Sequence, residues 1–125
     1  MESIPFQIGP LRSKSNYLWE NQMIIYSVTV IISKEVEEAW LLWMKEIHIA
    51  DVLRTGYFFD YEFQKLLNTD EGEKEPTYVI NYRADSLEKF NNYSLIDAPR
   101  LQKEHSDKFL GKFKATRSVY QIIEK

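Results

Sequence analysis

Cysteine is absent from the 125 residues, which removes disulfides, thiolate metal sites and a cysteine nucleophile in one step. A chain without cysteine suits a reducing compartment, so a cytoplasmic location is the expectation. Glycine is scarce, at four residues. None of the four falls in a G-x-x-x-x-G-K-[ST], G-x-G-x-x-G or G-x-S-x-G arrangement, which leaves the phosphate-loop, dinucleotide-fold and hydrolase-elbow readings without an anchor. No apolar run approaches the ~18 residues of a membrane helix. The opening stretch MESIPFQIGPLRSKSNYLWENQ lacks both a basic n-region and a continuous apolar h-region, so neither secretion nor a membrane partner is expected. An excess of one charge is also missing: the formal charge is −3 and the pI about 5.4, which gives no electrostatic footprint for nucleic acid. Only two histidines occur, His48 and His105, far apart and outside any H-E-x-x-H pattern. No metal site and no cofactor are expected from them.

Aromatic residues are what the chain has in quantity: eight Tyr, seven Phe and three Trp. The length is one domain's worth, enough to bury a core. Residues 1–22, punctuated by Pro5, Gly9 and Pro10, show no sustained period and read as an N-terminal arm. Phe6, Ile8, Leu11 and Trp19 would be the arm's means of docking on residues 23–125, which form the domain.

Within the domain the hydrophobic period switches in an informative order. Ile24, Tyr26, Val28, Val30 and Ile32 alternate as one face of a strand. Ser33 can cap a helix whose first turns carry Glu35, Glu37 and Glu38, with Val36, Trp40, Trp43, Met44 and Ile47 as its apolar stripe. Thr55-Gly56 ends it. YFFDYEFQKLL is a second strand, with Phe58 and Leu66 on one side and Tyr57, Phe59, Tyr61 and Phe63 on the other. The acidic NTDEGEKEP connects to a third strand, TYVINYRA, and its Asp70, Glu71, Glu73 and Glu75 read as a solvated loop. Asp85-x-x-Glu88 resembles a capping box for a second helix from near Ser86. That helix breaks around Ile96–Pro99, resumes and stops at Gly111. KFKATRSVYQII is the fourth strand.

The resulting β-α-β-β-α-β order is ferredoxin-like α+β, with a four-stranded antiparallel sheet and both helices on one face. Ile25 and Ile31 give the first strand apolar residues on its second face too. A sheet with two apolar faces needs a second cover, and a homodimer paired sheet face to sheet face supplies it.

Several functional classes share this strand order, so the site must decide between them. An RNA-recognition domain would carry a basic, glycine-containing motif with stacked aromatics on its third strand. TYVINYRA has Tyr78 and Tyr82 but neither the glycine nor the charge. At roughly 100° per residue, His48 flanks the core stripe of the first helix, with Asp51 within i+3 reach. His105 lies between Leu101 and Phe109 and faces inward on the second helix. Each histidine alone reads as a partly buried core residue bonded to a carbonyl or carboxylate. Two on neighbouring helices also make a pocket, in which a neutral imidazole near pH 7 is a ligand contact or a general base. Trp40, Trp43 and Met44 read as core. Arg117, flanked by Ala115 and Val119 two positions away, leans inward and needs a partner, for which Asp60 or Glu62 is the candidate; a structural ion pair is the preferred reading and the anion-binding wall of a pocket the other.

Three stretches also resemble a known family: MIIYSVTV, the run W-x-x-W-M-x-x-x-H-I-x-D-V-L from Trp40, and A-P-x-L-Q-x-x-H-x-x-x-F-x-x-K-F from Ala98. Together they resemble, over residues 23–123, a family of short bacterial proteins known only as a domain of unknown function, whose members begin at the position of Met23. More widely the chain is similar to the dimeric α+β barrel superfamily, with its EthD-like proteins and antibiotic-biosynthesis-type monooxygenases. The resemblance implies a dimeric α+β barrel with a cavity between helices and sheet. The family's histidines fall on His48 and His105 and its strand arginine on Arg117. The family's H-I-P is His48-Ile49-Ala50 here, and the strand around Arg117 reads ATRSVY instead of a more apolar version.

The expectation from these observations is a homodimer holding a small apolar or aromatic molecule. His48, His105, Tyr26, Trp43 and Arg117 would be its ligand contacts and His48 the general base if the chain is an enzyme, in cofactor-free oxygenation or isomerisation. Two alternatives are a non-catalytic interaction or regulatory module, and a haem protein with His105 as axial ligand.

Overall fold

Nine residues of alternating pattern, IIYSVTVII, form strand β1 (Ile24–Ile32), whose even-numbered side chains Ile24, Tyr26, Val30 and Ile32 are buried. In the computed structural model, which describes residues 22–69 and 72–124, β1 is a central strand of a four-stranded antiparallel sheet. Its neighbours are β3 (Thr77–Ala84) and β4 (Phe113–Gln121), and β2 (Asp60–Lys65) lies beyond β3, giving the order β2-β3-β1-β4. This is the ferredoxin-like α+β arrangement. The docking role expected of Phe6, Ile8, Leu11 and Trp19 falls outside the described residues, as do Asp70 and Glu71.

Between β1 and β2 runs one helical segment of changing pitch. A 3-10 turn (Lys34–Val36) leads into α1 (Glu37–Trp43), then a π turn (Met44–His48), then α2 (Ile49–Arg54). The Ile49 N–H bonds to the Met44 carbonyl, five residues back, so one extra residue is accommodated in the turn. The buried stripe accordingly steps Trp40, Met44, Ile49, Val52. Ile47, expected in the stripe by uniform helical spacing, is 47% exposed because the π turn advances the register by one residue. Gly56 closes the segment at φ +86, where a side chain would be strained.

Ser33 sits at the start of this segment with extended backbone but makes no side-chain cap. Glu75 supplies the missing acceptor: its Oε1 takes the Lys34 N–H at 2.7 Å. Glu73 in turn accepts the Glu75 N–H at 3.0 Å. The acidic loop is therefore partly a tether holding the β2–β3 connection against the first helical turn, rather than wholly solvated.

After β3 comes α3 (Leu87–Ile96), capped by the Ser86 hydroxyl, which accepts the Lys89 N–H at 3.1 Å. Asp85 pairs with the Lys89 ammonium instead of capping. The chain breaks at Asp97 and continues as α4 (Ala98–Lys108), and Gly111 turns it into β4 at φ +75. The helices cover the even-numbered face of β1 and β3. Tyr78 and Tyr82 are buried there, not displayed on an open face as an RNA-binding sheet requires.

The other sheet face differs from expectation. Residue pairing places Ile25, Ser27, Thr29 and Ile31 beside Arg83, Asn81, Val79 and Thr77 of β3 and Tyr120, Ser118, Thr116 and Lys114 of β4. Asp60, Glu62 and Gln64 share that face from β2. It is a mixed surface of small polar and charged residues with a few apolar ones, not a second apolar face. The second strand also begins later than its aromatic run suggests. Phe58 precedes it and turns under the helices against Tyr26 and Tyr82, while Leu66 follows it and is exposed, so the two do not share a side.

Replacing Ser86 by Ala is expected to lower stability by about 1 kcal/mol, because it deletes a made cap. Ser33→Ala should be near neutral, since no cap bond is lost. Urea denaturation of the two variants checks the contrast.

Candidate functional site

The polar groups of the interior converge on a cavity of about 30 Å³ between the helical layer and the sheet. That volume corresponds to about two water-sized positions. Tyr26, His48, Gln102, His105 and Arg117 line it together with apolar side chains including Val30, Met44, Val52 and Leu101.

His48 enters from the last residue of the π turn. A uniform α-helix would leave it on the flank of the apolar stripe; the extra residue in the turn swings it inward. Its ring stacks on Trp43 at 5.0 Å and 25°, and its Nδ1 is buried without a hydrogen-bond partner. Asp51, expected as its i+3 companion, is instead bonded to Arg54, although its charge still reaches the imidazole.

His105 enters from the third turn of α4 and is 7% exposed. Its Nε2 accepts the indole N–H of Trp40 at 2.9 Å. An accepting Nε2 places the proton of the neutral ring on Nδ1. The two imidazoles lie 5.7 Å apart and nearly edge to face, with Phe113 standing T-shaped against His105 at 4.5 Å.

Arg117 comes from the edge strand β4, opposite Val28, and so from the sheet side of the cavity. The proposed pairing with Asp60 or Glu62 does not occur. Strands β2 and β4 are opposite edges of the sheet, Glu62 pairs with Arg83, and both acids occupy the other face. Arg117 meets the hydroxyl of Tyr26, which Gln102 also approaches, and its Nε is buried without a partner. Of the five residues singled out from sequence, His48, His105, Tyr26 and Arg117 line the cavity, while Trp43 backs His48 from behind.

Gln102, Tyr82 and Tyr93 complete the wall and were not picked out by sequence reasoning. Gln102 had a readable signal, three positions before His105 on the same helix. Tyr93 had none, because a tyrosine on an amphipathic helix looks like ordinary core.

Electrostatically the pocket resists protonation. Burial pushes His48 down to about 4, with the Arg117 cation adding to the effect and Asp51 opposing it. Burial, the neighbouring His48 and Arg117 hold His105 at about 3. Both rings are therefore neutral at pH 7. Burial also raises the phenols of Tyr26 and Tyr93, the latter well above its ordinary value, so they remain hydroxyls. The arrangement offers two neutral imidazoles, three tyrosine hydroxyls, an amide and one guanidinium. Among the described residues no group of three or more His, Asp or Glu is placed to hold a metal ion.

A family model described as a domain of unknown function (DUF4286) matches residues 23–123. Among solved structures, the chain is similar to a dimeric ferredoxin-like protein from an uncultured marine organism, at 18% identity and TM-score 0.62, over 82% of this chain and 96% of that one. It is similar to an EthD family protein from Bacillus halodurans at 16% identity and TM-score 0.59, over 80% and 99% of the two chains. It is also similar to SnoaB, a cofactor-independent oxygenase from Streptomyces nogalater, at 10% identity and TM-score 0.58, over 83% and 96%. At these identities the likeness shows the fold. No curated protein matches the chain.

The histidine shifts set a pH dependence. In the unfolded chain both imidazoles titrate near 6.5, whereas in the folded state they stay neutral down to about 4 and 3. Below pH 6.5 the unfolded state binds more protons, so stability is full above 6.5 and is lost as pH falls toward the folded values. The limiting slope is about 1.4 kcal/mol per pH unit for each histidine. Urea unfolding measured from pH 7 to pH 4 is expected to show this loss, and the double substitution His48→Gln with His105→Gln should flatten it.

Proposed function

The chain belongs to the DUF4286 family, whose description names no activity, and from the geometry of the site we propose that it is a homodimeric small-molecule-binding protein with His48 as proton acceptor. The observation that carries this reading is the His48 imidazole itself. It is neutral and stacked on Trp43, and its buried Nδ1 has no hydrogen-bond partner among the described residues at the cavity. A core histidine with a purely architectural role is ordinarily satisfied, as His105 is by Trp40.

The ligand is a small apolar or aromatic molecule bearing one polar group. The polar group occupies the cavity; at about 30 Å³ the space does not enclose an aromatic ring, so the body of the ligand extends outside it. With a base of this kind and hydrogen-bond donors opposite, the matching chemistry is proton abstraction next to a carbonyl, the first step of a cofactor-free isomerisation or oxygenation. The description of SnoaB as a cofactor-independent oxygenase on the same fold is compatible with that class.

Dimer formation would use the outer sheet face. Ser27, Thr29, Thr116 and Ser118 make its centre low and even, suited to close approach of a second sheet. Two solved neighbours with this fold are described as dimeric.

A non-catalytic interaction module is the second reading, favoured by the small volume of the cavity. The haem reading is weakened by the Trp40 bond, which occupies His105 Nε2, the nitrogen an axial ligand would use from that direction.

In a thermal-shift screen of small carbon acids, at least one compound should raise the wild-type melting temperature, with the rise growing as the logarithm of its concentration above Kd. His48→Asn should slow deuterium exchange at that compound's acidic carbon by roughly 10²–10⁴-fold. Absence of any stabilising compound would favour the interaction module. Light scattering should report twice the 14.9 kDa chain mass, and Thr29→Lys should give a folded monomer.

A further inference from the structure

We infer that the group the pocket receives is an ionised oxygen of a small organic acid, and that Arg117 binds it with Tyr26 and Gln102 beside it. The inference rests on the pocket reading above and specifies its ligand class.

The argument starts from a charge without a counter-charge. Every other arginine among the described residues has a carboxylate: Arg54 pairs with Asp51, Arg83 with Glu62, and Arg100 with Asp97 and Glu104. Arg117 has none among the described residues, although this half-buried side chain lines the cavity and its Nε is buried without a partner there. A cation drawn into a low-dielectric wall is costly unless an anion accompanies it.

Among the described residues the surrounding groups do not supply that anion. The titratable neighbours of the guanidinium are Tyr26, Tyr93, His48 and His105. The two tyrosines stay protonated and the two histidines stay neutral, so the wall holds one formal positive charge. Asp51, the acid whose charge reaches His48, is engaged by Arg54.

Geometry and size agree with an oxyanion. The cavity accepts about two water-sized groups, which fits a carboxylate or an enolate oxygen and its carbon. A guanidinium presents N–H donors in a planar fork matched to such oxygens. Gln102 and the Tyr26 hydroxyl add neutral donors at the same place. Carboxylate and phenolate or enolate ligands share this chemistry, and matched probes separate them.

The experiment titrates the full chain with benzoate against benzamide, acetate against acetamide, and 4-nitrophenolate against 4-nitroanisole. Binding is followed by thermal shift and by the imidazole NMR signals of His48 and His105. Wild type is expected to favour the ionised member of at least one pair by roughly tenfold or more. Arg117→Met should reduce that preference to within about twofold and Arg117→Lys should restore part of it. If Arg117→Met does not fold, Gln102→Leu keeps the cation and should weaken the acid more than its neutral partner.

Equal affinity for acid and neutral partner would overturn the anion assignment and leave the pocket reading standing. An acid preference that survives Arg117→Met would overturn the role of Arg117. No response of either imidazole to any of the six probes would overturn the assignment and the pocket reading together.

Discussion

The hydrogen bond from the Trp40 indole to His105 Nε2, 2.9 Å long and buried, joins the first helical segment to α4 across 65 residues of sequence. Much of the interior is arranged around it. Trp40 is fully buried and packs on Phe63 and Tyr78 of the sheet, so the bond fixes the helical layer to the sheet as well as the helices to each other. It also decides the state of the site. With Nε2 accepting, His105 is held as the neutral Nδ1–H tautomer, and its ring stands edge-on to His48. A protonated His105 could not accept the indole proton, so charge on this ring and the helix contact are mutually exclusive.

The π turn is the second constraint, and it acts on the same layer. An α-helix carries its buried stripe at intervals of three and four; the step from Met44 to Ile49 is five. Without the extra residue, Ile47 would be turned inward and His48 would stay at the flank. With it, an apolar side chain is left exposed and an imidazole with an unsatisfied nitrogen is brought into the core. Neither exchange favours stability by itself. Irregular turns of this type are tolerated where they position a working side chain, which is the role proposed for His48.

Sequence made the sheet and its order legible because period-two alternation in β1 and β3 and the turn signals at Gly56, Pro99 and Gly111 are local. The pair His48 and His105 was legible for a related reason: each lies near the end of a helix, and right-handed crossovers bring the two helices together. What escaped was long-range or irregular. Nothing in MKEIH announces a π turn, so uniform helical spacing places Ile47 in the stripe. Glu75 as the acceptor for Lys34 depends on a contact across 41 residues. Pairing Arg117 with Asp60 or Glu62 fails on the topology itself, because the ferredoxin-like strand order puts β2 and β4 at opposite edges, and matching charges between strands ignores that order. Alternation also failed at Phe58, where the aromatic run precedes the strand and parity does not apply.

The site's electrostatics follow from combining these constraints. Burial makes both imidazoles poor bases, and Arg117 makes them poorer by adding like charge to any protonated form. A negative oxygen at Arg117 would reverse that contribution, raising the proton affinity of His48 at the moment a proton is to be taken. The same low dielectric that keeps the empty rings neutral would strengthen the attraction between guanidinium and oxyanion. A base weak in the resting protein and stronger beside a developing negative charge favours the transition state over the resting state, which is the condition for catalysis. The low resting value of His48 is therefore compatible with its proposed role only if charge and proton acceptor share one cavity. Arg117 and His48 do line the same one, from the sheet and from the helices.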